Sequence, residues 1–280
     1  MSRPLPPSPP APDPAHPAGP GAPAVVLINP NTATATTRMM TAIARRALAV
    51  PGLRVRGVTV AHGPAMLTDP AALGEAAPHV LAAAREALAS GDCAALIVGA
   101  FGDPGVEELR TWLRRRARPG RTGGEARPGT PAATTVGSSV AFPVPVPAPV
   151  PVVGIGEAAL AEAAEGGRRF GIATTTPRLA AAIDAHVARL GLSAAYTGAR
   201  FTSGTPEQLA AHPDSLLAAL TEAARACVVR DGAEAVVIGG GPLGDAAEAL
   251  RTRLAVPVVA PVPAACREVV RLLGAASGSK

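Results

Sequence analysis

Ala95-Leu96-Ile97-Val98-Gly99-Ala100-Phe101-Gly102-Asp103 is a short apolar run that ends on small residues and a carboxylate. Such a run reads as a buried parallel strand opening into a loop. The same text returns as Ala235-Val236-Val237-Ile238-Gly239-Gly240-Gly241-Pro242-Leu243-Gly244-Asp245. Each copy leads into one helix signature, Leu109-Arg110-Thr111-Trp112-Leu113 and then Leu250-Arg251-Thr252-Arg253-Leu254. Ligands of open α/β sheets bind beyond the carboxyl ends of the strands, so two copies imply one site assembled from both.

The repeat extends outward. Phe170-Gly171-Ile172-Ala173-Thr174-Thr175-Thr176 matches residues 26–32, and residues 199–204 match residues 59–63. Pro151-Val152-Val153-Gly154-Ile155-Gly156-Glu157 is echoed from Pro257 onward. In the second copy Leu254 is followed almost at once by Pro257, whereas the first runs from Leu113 through a Gly-, Pro- and Thr-rich stretch before Pro151. That difference is an insertion, residues 118–149, read as disordered. Residues 1–23, rich in Pro and Ala, are read as a disordered tail. Strands are expected over 25–28, 55–60 (at a sheet edge) and 95–98, with helices over 37–50 and 75–90.

The fold class is therefore α/β: two pseudo-symmetric Rossmann-like domains, each a four-stranded parallel sheet flanked by helices. The first domain is expected to span 24–157 plus 262–280, and the second 158–261.

Composition limits the function. The chain has 280 residues, a net charge of +5 and only 2% aromatic residues, too few for a platform on which bases stack. Its densest basic run, Arg114-Arg115-Arg116-Ala117-Arg118, reads as a solvated face, so no nucleic-acid partner is expected. No apolar stretch long enough for a bilayer escapes Pro or Gly, and no secretory signal opens the chain. Three widely spaced cysteines rule out a disulfide framework and fit a reducing compartment, so the expected location is cytoplasmic.

Asn29-Pro30-Asn31-Thr32, Phe101-Gly102-Asp103-Pro104-Gly105, Pro151–Ala159 and Phe170–Thr175, in this order, resemble the aspartate/glutamate/hydantoin racemase family, its hydantoin-racemase-like branch above all. The resemblance implies a cofactor-independent enzyme, often a homo-oligomer, with a small carboxylate, amino acid or hydantoin-like ligand in a cleft between its halves. It implies proton transfer at carbon by two cysteines, one at each repeated strand end. Here those positions are Ala100 and Gly240, and neither side chain can carry a proton. Of the thiols, Cys93 precedes its strand, Cys227 falls mid-helix as a small hydrophobe, and only Cys266 is placed to face the site.

What remains is a ligand cradle. Asn29, Asn31 and Thr32 at one strand-to-helix turn, and Thr174 and Thr175 at the other, offer amides and hydroxyls, or else serve as ordinary helix caps. Backbone N–H groups at Ala100-Phe101 and Gly240-Gly241 suit an enolate-like oxyanion. The candidate proton carriers are Asp103 and His62, with Asp245 also weighed. Asp103 has an alternative role, capping the helix that follows it. Glu157 is explained by the helix it opens. No metal site and no cofactor are expected. A catalytically silent small-molecule binder is the alternative to the enzyme, and a basic interaction protein working through the insert is a third reading.

Overall fold

A computed structural model describes residues 21–117 and 150–277; the insert and nearly all of the tail lie outside the described residues. Eight strands form two sheets. The first contains β1 (Ala24–Asn29), β2 (Arg54–Thr59), β3 (Cys93–Val98) and β4 (Val152–Gly154), in the order β2-β1-β3-β4. The second contains β5 (Phe170–Thr174), β6 (Tyr196–Phe201), β7 (Ala235–Gly239) and β8 (Val258–Val259), in the order β6-β5-β7-β8. All pairings are parallel, and the second order is the first shifted by four strands. The duplication read from the repeated text is thus a duplication of topology.

The helices are α1 (Thr34–Ala47), α2 (Pro70–Ala89), α3 (Val106–Ala117), α4 (Ile155–Ala163), α5 (Ala180–Arg189), α6 (Pro206–Ala211), α7 (Pro213–Val229), α8 (Gly244–Arg251) and α9 (Pro261–Ser277). None of them is long and apolar enough to cross a membrane. Helix α2 begins five residues before the expected start, because Asp69-Pro70 forms an N-terminal stop: the Asp69 carboxylate accepts from Ala72 N at 3.0 Å and proline fills the first helical position. Helix α1 is displaced by three residues toward the N-terminus of its expected span, and Leu48 caps it ahead of Pro51-Gly52. The tail also ends earlier than expected. Arg54 N donates to Pro23 O at 3.0 Å and Arg54 Nε to Ala22 O at 2.9 Å, so these two residues belong to the sheet edge.

Alternation along β1 sorts its side chains between two layers. Val25 and Leu27 enter a core that also holds Ile172, Val237 and Val269 and runs through both halves. Ala24, Val26 and Ile28 face an outer core under α2 and α3, and Val236 and Ile238 face its counterpart under α7 and α8. Two helices tie the halves together: α4 leaves β4 and lies against β7 and β8, and α9 leaves β8 and lies against α1, β3 and β4. Many of the buried side chains are alanines, which lets these layers approach closely.

In each sheet the order in which strands are added reverses between the first and third strands of the half. The carboxyl ends of β1 and β3, and of β5 and β7, are therefore the two switch points where open α/β sheets bind ligands.

Candidate active site at the two switch points

At the first switch point Asn29 is fully buried and its amide is already engaged. Its Nδ2 faces Asn31 Oδ1 at 2.9 Å, Ala33 O at 3.1 Å and Thr37 Oγ1 at 3.0 Å, and its Oδ1 accepts from Asn31 N at 3.2 Å. Asn31 Oδ1 accepts in turn from Ala33 N at 3.0 Å. Asn29 is thus the knot of the β1–α1 loop, and the surface left for a ligand consists of half-buried Asn31 and Thr32 with the first turn of α1. That turn carries no side-chain cap and no acidic residue. At the second switch point the Thr174 hydroxyl donates to Gly239 O at 2.6 Å, fastening β5 to the end of β7, with buried Thr175 next to it.

Beyond β3 and β7 the two halves touch. A Cβ on Gly241 would lie 2.5 Å from Met40 Sδ, 3.0 Å from Gly99 O and 3.2 Å from Ile155 Cδ1. The glycine is needed for this close approach, and the sulfur nearest the junction is a thioether, which carries no proton. Gly241→Ala is expected to lower stability by about 1–3 kcal/mol, the cost of overpacking a rigid contact, as read from urea unfolding midpoints. A loss under about 0.5 kcal/mol would mean that the halves do not meet here.

Ala100 is buried next to the core residue Phe101, and Gly240 is half-buried in an extended conformation at φ 162°. Neither has a titratable atom. The three thiols are all buried. Burial pushes Cys93 and Cys227 up to about 11 and Cys266 up to about 12. Cys266, the one thiol whose position could have let it face the site, packs into the shared core of α9 and α1 with its Sγ 3.8 Å from Ala44 O. The first turn of α9 is apolar on the side that meets α1, and the thiol follows that stripe. In native protein at pH 8, a thiol-reactive dye is expected to label none of the three within minutes, and all three in denaturant. Rapid labelling of Cys266 in the native state would contradict this packing.

Asp103 sits elsewhere than its position before α3 suggests. It adopts a left-handed conformation, φ 54°, that turns its carboxylate away from α3 and onto the start of α4. Oδ1 accepts from Gly156 N at 2.8 Å and Oδ2 from Glu157 N at 2.6 Å, so the helix it caps is α4 rather than the one that follows it. Gly154 and Gly156 lack a Cβ where this carboxylate packs. Its other neighbour is His186 of α5, whose Nε2 lies 3.0 Å from Oδ2 but too far off line for a hydrogen bond. Both side chains are 3% exposed. Arg189 contacts His186 Nδ1 from the next turn. Asp103, Arg110, Glu157, His186 and Arg189 line a cavity of about 340 Å³ between α3, α4 and α5. Glu157 accepts from Gly154 N at 3.0 Å and pairs with Arg110, as its position at a helix start suggests.

The sequence reading missed His186. Its signal was present: Ile183, His186, Val187 and Leu190 fall at helical spacing on one face, which puts an imidazole among buried apolar residues. The other candidates stand apart. His62 is exposed, its ring 6.2 Å from that of His79 on α2. Asp245 is exposed and pairs with Arg46 of α1 at 2.5 Å. At the junction the structure brings Gly241 against Gly99, Met40 and Ile155, whereas Asp103 lines the cavity beside α3, α4 and α5 and His62 is exposed.

A family model described as Asp/Glu/Hydantoin racemase matches residues 25–114 and 147–269. A hydantoin racemase from Paenarthrobacter aurescens is 26% identical over 247 residues, covering 87% of this chain and 88% of that protein. Among solved structures, an allantoin racemase from Klebsiella pneumoniae superposes with a TM-score of 0.72 at 25% identity, covering 91% of this chain and 89% of its own. The allantoin racemase AllR from Pseudomonas fluorescens shares the fold, with a TM-score of 0.70 at 23% identity over 90% of this chain and 91% of its own.

Proposed function

This chain belongs to the Asp/Glu/hydantoin racemase family, and we propose that it is an isomerase-type enzyme moving a proton on and off a carbon beside a carbonyl. Its substrate is a small carboxylate, amino acid or hydantoin-like ureide, the class to which the hydantoin and allantoin racemase relatives point. The observation that carries the reading is the meeting of two duplicated strand ends, Gly99 against Gly241, and the proposed oxyanion donors are the backbone N–H groups of Ala100-Phe101 and Gly240-Gly241 that follow them. Donors fixed in advance by the fold stabilise an enolate oxyanion with no reorganisation.

The proton path differs from a two-thiol path, because Ala100 and Gly240 cannot exchange protons. Asp103 is the proposed acceptor: its carboxylate is held in place by the N–H groups of Gly156 and Glu157, and His186 Nε2 stands 3.0 Å from it as the neighbouring acid–base group. The reaction needs no cofactor in this scheme. We leave His62 outside the proton path because of its exposed position.

A second reading, a silent binder of the same ligands, is favoured by one observation: Met40, Gly99 and Gly241 crowd the junction, and the two repeated strand-end positions are Ala100 and Gly240. Incubation with allantoin, hydantoins and amino acids in D₂O separates the two. Deuterium at the acidic carbon, lost in Asp103→Asn and reduced in His186→Gln, supports the enzyme. Ligand-induced thermal stabilisation without any deuterium uptake establishes the binder.

A further inference from the structure

Away from the strand ends, a groove of about 780 Å³ runs along α7 from Ala218 to Arg230 and is bounded by the end of β6. Its floor is apolar and shallow, built from Ala219, Ala223 and Ala226 of α7. Its walls carry four arginines against a single carboxylate, Glu222. Arg200 is held by Asp231, its Nε 2.8 Å from Oδ2. Among the described residues, Arg225, Arg230 and Arg253 have no carboxylate within ion-pair distance, although Arg230 is near enough to Asp231 to act on its carboxylate electrostatically. Thr202, on the lining, is 7% exposed, and its hydroxyl has no hydrogen-bond partner among the described residues.

We propose that this groove binds a small organic polyanion, a molecule bearing at least two phosphate or carboxylate groups. Guanidinium groups without partners match the planar oxygens of such groups. The Thr202 hydroxyl, unpartnered and closed off from solvent at the groove wall, becomes available to a ligand acceptor only when that wall shifts on binding. The alanine floor leaves room for an apolar body between the charged ends, in a volume typical of small-molecule sites. Neither Ala100 nor Gly240 lines the groove, so this site is separate from the switch points and stands whether or not proton transfer occurs there.

Titration calorimetry of the full chain tests it, with pyrophosphate and ATP as phosphate probes, citrate as the carboxylate probe, and sodium chloride matched for ionic strength. Saturable binding is expected for at least one probe and for none of the chloride controls. The Arg225→Ala, Arg230→Ala, Arg253→Ala triple variant is expected to bind at least ten-fold more weakly, and Thr202→Val several-fold more weakly. Arg271→Ala, at an exposed arginine paired with Glu268 on α9, is expected to bind as the parent does. If the triple variant does not fold, Arg225→Gln and Arg253→Gln are read singly, each with at least three-fold weaker binding expected. Heats that never saturate, or equal weakening in Arg271→Ala, overturn the proposal. So does a dimer by light scattering that falls to monomer in the triple variant, since the groove would then be an interface between copies.

Discussion

Placing thiols at both strand ends, Ala100→Cys with Gly240→Cys, is expected to raise deuterium incorporation into allantoin or a hydantoin by about 100-fold or more, the lower range of general acid–base catalysis. The family resemblance places one thiol at each of these positions, and the fold that would present them is intact. Ala100 already has a Cβ, so only a sulfur is added there. At Gly240 a new Cβ lies 2.9 Å from Leu243 Cδ1 and 3.0 Å from its Cγ, so the buried Leu243 side chain must shift within its cluster to admit it. The φ of 162° at Gly240 is open to any residue. Backbone N–H groups around both positions would favour the thiolate. Ala100→Cys alone, which demands no repacking, is expected to give one-sided exchange with little inversion. If the double variant folds and binds ligand yet exchanges no faster than the parent, the pocket between the strand ends is not where this chain holds its ligand.

The largest loss of stability is expected from Asp103→Ala, about 3–5 kcal/mol, read from urea denaturation monitored by circular dichroism. Three costs coincide in that change. The N–H groups of Gly156 and Glu157 lose their acceptor in a buried place, His186 Nε2 loses the carboxylate 3.0 Å from it, and alanine must adopt φ 54°. Asp103→Asn keeps an acceptor oxygen and tolerates the left-handed turn, so about 1–2 kcal/mol is expected for it. An alanine variant within about 0.5 kcal/mol of the parent would show that the carboxylate does not hold the start of α4.

The duplicated text made the architecture legible. Gly239-Gly240-Gly241 repeating Gly99-Ala100-Phe101, and residues 170–176 repeating residues 26–32, marked two like parallel sheets and the strand ends that matter, while the order of strands within each sheet was not written in that text. What stayed hidden were contacts between residues far apart in the chain. Asp103 reaches across the insert to Gly156 and Glu157, and nothing beside it in the sequence marks those partners. Cys266 looks free beside a strand end, but the stripe that buries it becomes plain only once α9 is laid on α1. Asn29 has the composition of a ligand-binding residue and the bonding of a loop knot, and spacing alone does not separate the two. The start of α2 was a local signal that Gly74 and Pro78 obscured.

One apolar interior passes without a break from the inner face of the first sheet to that of the second. Halves welded in this way do not swing apart like jaws on a hinge, because opening them would bring buried aliphatic surface into water at about 25 cal/mol per Å². A ligand must enter by the yielding of single side chains at the seam, with Met40 the pliable one. Heating should melt the molecule in one calorimetric peak, neither half surviving the other.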